Sequence, residues 1–162
     1  MNFVMFWLKK NTWGTQDSLI YIGREPEYET EIQDTPFFHL CYGNDDLRLL
    51  IFENHVVHRT GNEESALFET NRWNHIALTC RQIEKDGCVT TNGYQVYVNG
   101  SAYLARNCPV NDFTENCGLY FGRGWHYSGL NRYVYGAYDE IMVFDACLDE
   151  DDINAIKDSS HP

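Results

Sequence analysis

The sequence predicts an all-β fold, a two-sheet antiparallel sandwich closed by a short C-terminal helix. Three observations predict it. Tyr, Phe and Trp make up 15% of the 162 residues, and such side chains suit half-buried pleated surfaces better than helices. Short aromatic and β-branched runs alternate with Gly, Asn and Asp turn signals, with no repeat, low-complexity tract or internal linker. Only one segment, "LDEDDINAI" (148–156), combines a helix start with helical apolar spacing.

The elements follow in chain order. "FVMFWLKK" (3–10) is almost continuously apolar, as expected of a strand covered on both faces or central in its sheet. "SLIYIG" follows the turn-rich "NTWGTQD". "FFHLCYG" and "LRLLIF" flank Asn44, Asp45 and Asp46, which with Gly43 tolerate the positive φ of a tight hairpin turn. "WNHIALTC" and "YQVYVNG" form the next pair, with Tyr94, Val96 and Val98 on one face of the second strand. Asn99-Gly100 is the strongest hairpin signal in the chain and leads into "SAYLA". "CGLYFGRG" and "AYDEIMVF" complete roughly nine or ten strands. In the helix, Asp149 is the expected N-cap with Asp152 near N3, and Ile153 and Ile156 supply a small buried stripe. The expected domain runs over residues 1–157, leaving 158–162 as a tail or linker.

Charge narrows the partners. Twelve basic against 24 acidic residues give a net charge of -12, which repels phosphate backbones and anionic membrane surfaces, so nucleic acid is excluded as a partner. No run approaches the ~18–20 apolar residues of a membrane helix, which excludes membrane insertion. "FVMFWL" is too short and wrongly flanked for a signal segment. Six cysteines without a CxxC pattern lack zinc-ribbon or redox-motif spacing. Their even number points to disulfides and an oxidising, extracellular or cell-surface location. Cys80 with Cys88 and Cys108 with Cys117 each bracket a polar stretch that a disulfide would staple, although six cysteines leave the connectivity open. Asn99-Gly100-Ser101 is a glycosylation sequon.

"FWLKK", then "WNHIALT" (73–79), "YVNG" (97–100), "GAYDEI" (136–141) and "LDEDDI" together resemble the laminin G-like domains of the concanavalin A-like lectin/glucanase superfamily. In that pattern a W-x-H-hydrophobic-A strand precedes a Y-V-N-G turn, and G-x-I-D-E precedes a short helix. The match spans most of the chain in the right order. It implies a jelly-roll of two curved sheets and a role in adhesion or in glycan or protein recognition. It also implies a further strand ahead of "FVMFWL", so the chain is expected to be a segment of a longer polypeptide or to receive that strand from a partner. Tyr138 stands where the family carries a small aliphatic residue.

The resemblance also bears on calcium. The acid of the G-x-I-D-E stretch is commonly among the family's calcium ligands or supports them, which places Asp139 as a candidate with Asp45 and Asp46 as companions. Turn formation by Asp45 and Asp46 and helix capping by the terminal acids compete with that assignment. Zinc through His55 and His58 is disfavoured, because an i, i+3 pair on a strand faces opposite sides. His75 is expected to be a structural, hydrogen-bonding histidine.

Catalysis is not expected. The glucanase branch needs E-x-D-x-x-E on one strand, so that nucleophile and acid share a face ~5 Å apart. Around Asp139 the line is "YDEIMVF", and no nucleophile elbow, P-loop or zincin motif exists elsewhere. Binding instead falls to "GRGWHYSGLNRYVYG" (122–136), read as a long loop carrying Trp125, His126, Tyr127, Arg132, Tyr133 and Tyr135. Aromatic faces stack on sugars or anchor protein contacts, and Arg adds a planar fork. The competing reading packs these aromatics beneath the loop. Two functions stay open: a non-catalytic recognition or adhesion module for glycan or extracellular protein, and a structural module assembled against neighbouring domains or chains.

Overall fold

The apolar run at the start of the chain becomes the strand on which its sheet is built. The computed structural model describes residues 3–12, 17–23, 37–43, 46–53, 56–61, 68–85, 88–106, 118–124 and 132–160. The chain divides into two units: Met1–Thr12, Ala66–Val110 and Gly136–Pro162 form one, and Trp13–Ser65 with Asn111–Tyr135 the other. Each unit holds one five-stranded antiparallel sheet.

The first unit contains β1 (Phe3–Lys9), β6 (Trp73–Lys85), β7 (Cys88–Val98), β8 (Ser101–Arg106), β12 (Ala137–Phe144) and the helix α1 (Glu150–Ser159). Its sheet order is β12-β1-β6-β7-β8. β1 is thus paired on both sides, and Val4 to Leu8 are all buried, as the unbroken apolar run predicts. Register places Met5 opposite Ala77 and Trp7 opposite His75 on one face; Val4 opposite Leu78 and Phe6 opposite Ile76 lie on the other.

α1 covers the first of those faces. Ile153 is buried against Met5, Ala77 and Tyr97, with Met142, Phe144, Leu148 and Ile156 packed around them. The N-cap is the expected one, since the Asp152 N–H donates to Asp149 Oδ1 at 2.9 Å. α1 runs to Ser159, and Ser160 beyond it is buried and accepts a 3.3 Å hydrogen bond from Trp7 Nε1. The expected domain boundary at residue 157 therefore falls inside the helix.

Asn99-Gly100 closes the β7–β8 hairpin as its sequence requires. Both residues take positive φ, 51° and 87°, the geometry of a type I′ turn. α1 sits directly on that turn, with Asn154 Nδ2 donating to the Gly100 carbonyl at 3.1 Å. A Cβ at Gly100 would collide with the Asn154 amide and come within 2.8 Å of Lys157 Cε. Gly100→Ala is accordingly expected to cost about 1–3 kcal/mol in a urea titration, from backbone strain plus overpacking.

β12 departs from simple alternation. Met5 pairs with Met142 but Trp7 with Asp139, so Glu140 and Ile141 together stand opposite Phe6. Glu140 takes the left-handed φ of 46°, and Asp139 Oδ1 accepts its N–H at 2.9 Å. This bulge changes which face each side chain joins. Before it, Tyr138 packs its ring on Phe6 with centroids 5.5 Å apart; after it, Met142 and Phe144 turn to the helix side. Ile141 and Val143 are left 45% and 50% exposed on an outer strand of the sheet.

The second unit contains β2 (Asp17–Gly23), β3 (Phe37–Gly43), β4 (Asp46–Glu53), β5 (Val56–Gly61), β9 (Gly118–Phe121) and the two-residue strands β10 (Arg123–Gly124) and β11 (Arg132–Tyr133). Its sheet order is β5-β4-β3-β2-β9, and β10 pairs with β11 as a separate ribbon. Leu19 to Ile22 of β2 are buried. Tyr21 packs on His39 and Tyr120 at centroid distances of 5.8 and 6.0 Å, and His39 Nε2 lies 2.8 Å from Ser18 Oγ. The β3–β4 hairpin forms as predicted, its turn residues Asn44 and Asp45 lying outside the described residues.

Candidate functional site

The ribbon β10–β11 is where exposed aromatic surface collects. Gly122 turns the chain out of β9 at φ 67°, its N–H donating to the Leu19 carbonyl of β2 at 3.2 Å. Its own carbonyl accepts the Val134 N–H at 2.8 Å, which extends the ribbon past its Arg123–Tyr133 and Gly124–Arg132 pairs. With Val134 half-buried, Tyr133 and Tyr135 flank it on the opposite, solvent side. Tyr133 is 48% exposed and Tyr135 85% exposed. Two such rings so close together make this ribbon the candidate contact surface among the described residues.

Of the residues expected to bind ligand, Tyr133 thus lies on this surface and Arg132 begins β11. Trp125, His126 and Tyr127 lie outside the described residues. Part of what the sequence suggested as one long loop is ribbon, because four residues of it pair across β10 and β11. Sequence reasoning missed Arg123, which stands directly opposite Tyr133; only the pairing register reveals it.

Asp139 is exposed and its Oδ1 accepts the Glu140 N–H within the bulge. Asp46 begins β4 in the other unit, and Asp45 lies outside the described residues. No group of three His, Cys, Asp or Glu among the described residues is placed to hold a metal ion.

The cysteines pair differently from the nearest-neighbour expectation. Cys80 is joined to Cys147, 67 residues away, with Cα atoms 5.6 Å apart. Cys88 cannot replace it, for the stretch between Cys80 and Cys88 is not a loop: β6 and β7 continue pairing through Gln82–Thr91 to Lys85–Cys88. Cys88 consequently sits several residues further along the ladder, opposite Lys85. Cys108 and Cys117 lie outside the described residues.

Asn99 has a structural task that the sequon does not disclose. Its Oδ1 accepts the His75 backbone N–H at 2.8 Å, and its Nδ2 donates to Asn74 Oδ1 at 3.3 Å. Asn74 in turn holds the approach to β6, accepting from the Glu69 N–H and donating to the Glu69 and Arg72 carbonyls. The His75 ring was expected to make hydrogen bonds, yet it is buried with neither nitrogen partnered among the described residues. It packs edge-on to Trp7 at 5.1 Å. Burial, and then the Lys157 ammonium, lower its pKa from 6.5 to about 4.

Comparison with known proteins agrees with this architecture. A family model, Laminin_G_3 of the concanavalin A-like lectin/glucanases superfamily, matches residues 4–154. The fold resembles the CBM40 of the Ruminococcus gnavus IT-sialidase bound to α2,3-sialyllactose, at TM-score 0.66 and 17% identity over 96% of this chain and 81% of that one. Domain 4 of AbnA, an extracellular arabinanase from Geobacillus stearothermophilus, in complex with arabinotriose, is similar at TM-score 0.66 and 15% identity, covering 96% and 66%. Domains LG4-5 of the mouse laminin α1 chain match at TM-score 0.54 and 17% identity, covering 92% and 36%. Among curated protein sequences none matches the chain. At these identities the solved structures speak for the fold alone, a two-sheet antiparallel jelly-roll with a short C-terminal helix. No helix among the described residues is long and apolar enough to cross a membrane.

Proposed function

Because the chain belongs to the Laminin_G_3 family of the concanavalin A-like lectin/glucanases superfamily, we propose that it is a non-catalytic, extracellular glycan-recognition module whose contact surface is the β10–β11 ribbon. The observation that carries this reading is the solvent-facing pair Tyr133 and Tyr135. A phenol ring offers a flat face to the C–H groups of a sugar and a hydroxyl to its oxygens. The sialyllactose- and arabinotriose-bound neighbours support it by analogy of fold, and the Cys80–Cys147 disulfide suits an oxidising location. Calcium enters the proposal only as a condition to vary, with Asp139 its candidate ligand, and Asn99 as a residue to be checked for attached glycan.

The test is a glycan-array screen of the folded chain, with calcium and with chelator. Saturable hits under either condition are the expected result; silence under both would overturn the reading. The structural, assembly-type alternative has its own observation, the exposed Ile141 and Val143 on the outer strand β12. An unprotected sheet edge with apolar side chains is a surface another strand can extend. Silence on the array would favour that alternative.

A further inference from the structure

We infer that His75 is an acid-sensitive latch, whose protonation lets the C-terminal end of α1, residues 157–160, lift from a sheet that stays folded. The imidazole is fully buried on the central strand β6, and neither ring nitrogen has a partner among the described residues. Its backbone is fixed from both sides. Asn99 Oδ1 accepts the His75 N–H at 2.8 Å, the His75 carbonyl accepts the Asn99 N–H at 2.8 Å, and Trp7 stands opposite in β1. A proton on such a ring is a buried charge without an acceptor, which is costly until water reaches it. The strand itself cannot move to admit that water. What covers this part of the face is the end of α1: Trp7 Nε1 donates to Ser160 Oγ at 3.3 Å, and the Lys157 side chain reaches Gly100, the neighbour of Asn99.

The two ends of α1 are held unequally. Ahead of its start the Cys80–Cys147 disulfide ties the chain to β6, Asp149 caps the first turn, and Ile153 is buried against Met5, Ala77 and Tyr97. Beyond Ile156, the hydrogen bond that holds the helix end to the sheet is the one from Trp7 to Ser160. Opening from that end is therefore the cheaper route to hydrating the ring. The charges facing it do not offer an alternative. α1 brings Lys157, whose ammonium pairs with the 72% exposed Asp158. β1 brings Lys9, directed over the Trp73 ring at 6.0 Å, and β12, one strand further, brings Asp139, whose Oδ1 accepts the Glu140 N–H. β7 and its turn bring only Tyr97 and Asn99, both uncharged at neutral and acid pH. Burial, then the Lys157 ammonium, hold the closed ring at a pKa of about 4, whereas a ring reached by water returns to 6.5. The open form takes up the proton first, so opening grows as pH falls below 6.5.

Hydrogen exchange of the full chain, followed by mass spectrometry at pH 7.5 and pH 5 and corrected for the pH dependence of intrinsic exchange, tests the inference. Opening of residues 157–160 is expected to rise about 30-fold at pH 5, the ratio imposed by pKa values of about 4 closed and 6.5 open. β6 should stay far better protected than the helix end at both values, and return to pH 7.5 should restore the protection. His75→Phe, with His75→Leu as its smaller counterpart, should abolish the rise. Ser160→Ala loosens the attachment without touching the ring, so it should increase opening equally at both pH values and keep the ratio. A helix end whose exchange ignores pH, a rise that persists when His75 is replaced, or a helix end that exchanges no faster than β6 at pH 5 would overturn the inference.

Discussion

Replacing Cys80 and Cys147 together by alanine is expected to destabilise the chain by about 4 kcal/mol, the loop-closure entropy of a link spanning 67 residues. For a domain of this size that corresponds to roughly 8–16 °C in Tm. The link joins β6, in the middle of its sheet, to the segment between β12 and α1. Without it the helix is held by Ile153 and its neighbours, by Asn154 on the Gly100 turn and by Trp7 on Ser160. Melting in the presence and absence of reductant, beside the double variant, measures the effect. The reduced protein and the variant should fall together; a Tm indifferent to both would mean that the helix and sheet contacts alone hold this end of the chain.

Acid should weaken the fold through His75. Its folded pKa of about 4 lies below the 6.5 of the unfolded side chain, so the unfolded state takes up a proton first as pH falls. The stability due to the neutral ring is fully present above pH 6.5 and is lost as pH falls toward 4, up to about 3 kcal/mol in all. The cause is local: a fully buried imidazole against Trp7, with no hydrogen-bond acceptor to receive a second proton and Lys157 nearby to repel it. Urea midpoints at pH 7 and pH 4.5 for the native chain and for His75→Phe provide the measurement. Carboxylates titrate in the same window, so the difference between the two slopes is the signal. The variant should lose less stability on acidification; parallel slopes would contradict this account of the buried ring.

How much of this was legible beforehand depended on whether the determinant was local. β1 could be read from six consecutive apolar residues, the β7–β8 turn from Asn99-Gly100, and α1 from Asp149 and the Ile153/Ile156 spacing. The Cys80–Cys147 pair could not, since β6 and β7 continue through the polar "RQIEKD" that looked like a loop, and the true partner lies 67 residues away. The β12 bulge was hidden because its left-handed residue is Glu140 rather than a glycine. Strict alternation would put Tyr138 and Met142 on one face, where the structure separates them.

The candidate site follows the same rule. Tyr133 and Tyr135 were visible as aromatic residues in a Gly-punctuated stretch, but their exposure, and the presence of Arg123 across from Tyr133, depend on a two-residue ribbon that no periodicity marks. Asp139 was marked by its position in a motif, but the backbone hydrogen bond that its Oδ1 accepts from Glu140 depends on a bulge no motif discloses.

The bare tyrosines of the ribbon are the proposed sugar-binding surface. The most direct measurement is a side-by-side glycan array of the native chain and the Tyr133→Ala/Tyr135→Ala variant, with equal thermal melts confirming that both are folded. Saturable hits for the native chain that the variant loses are the expected result. Hits that persist in the variant, or their absence from both, would contradict it.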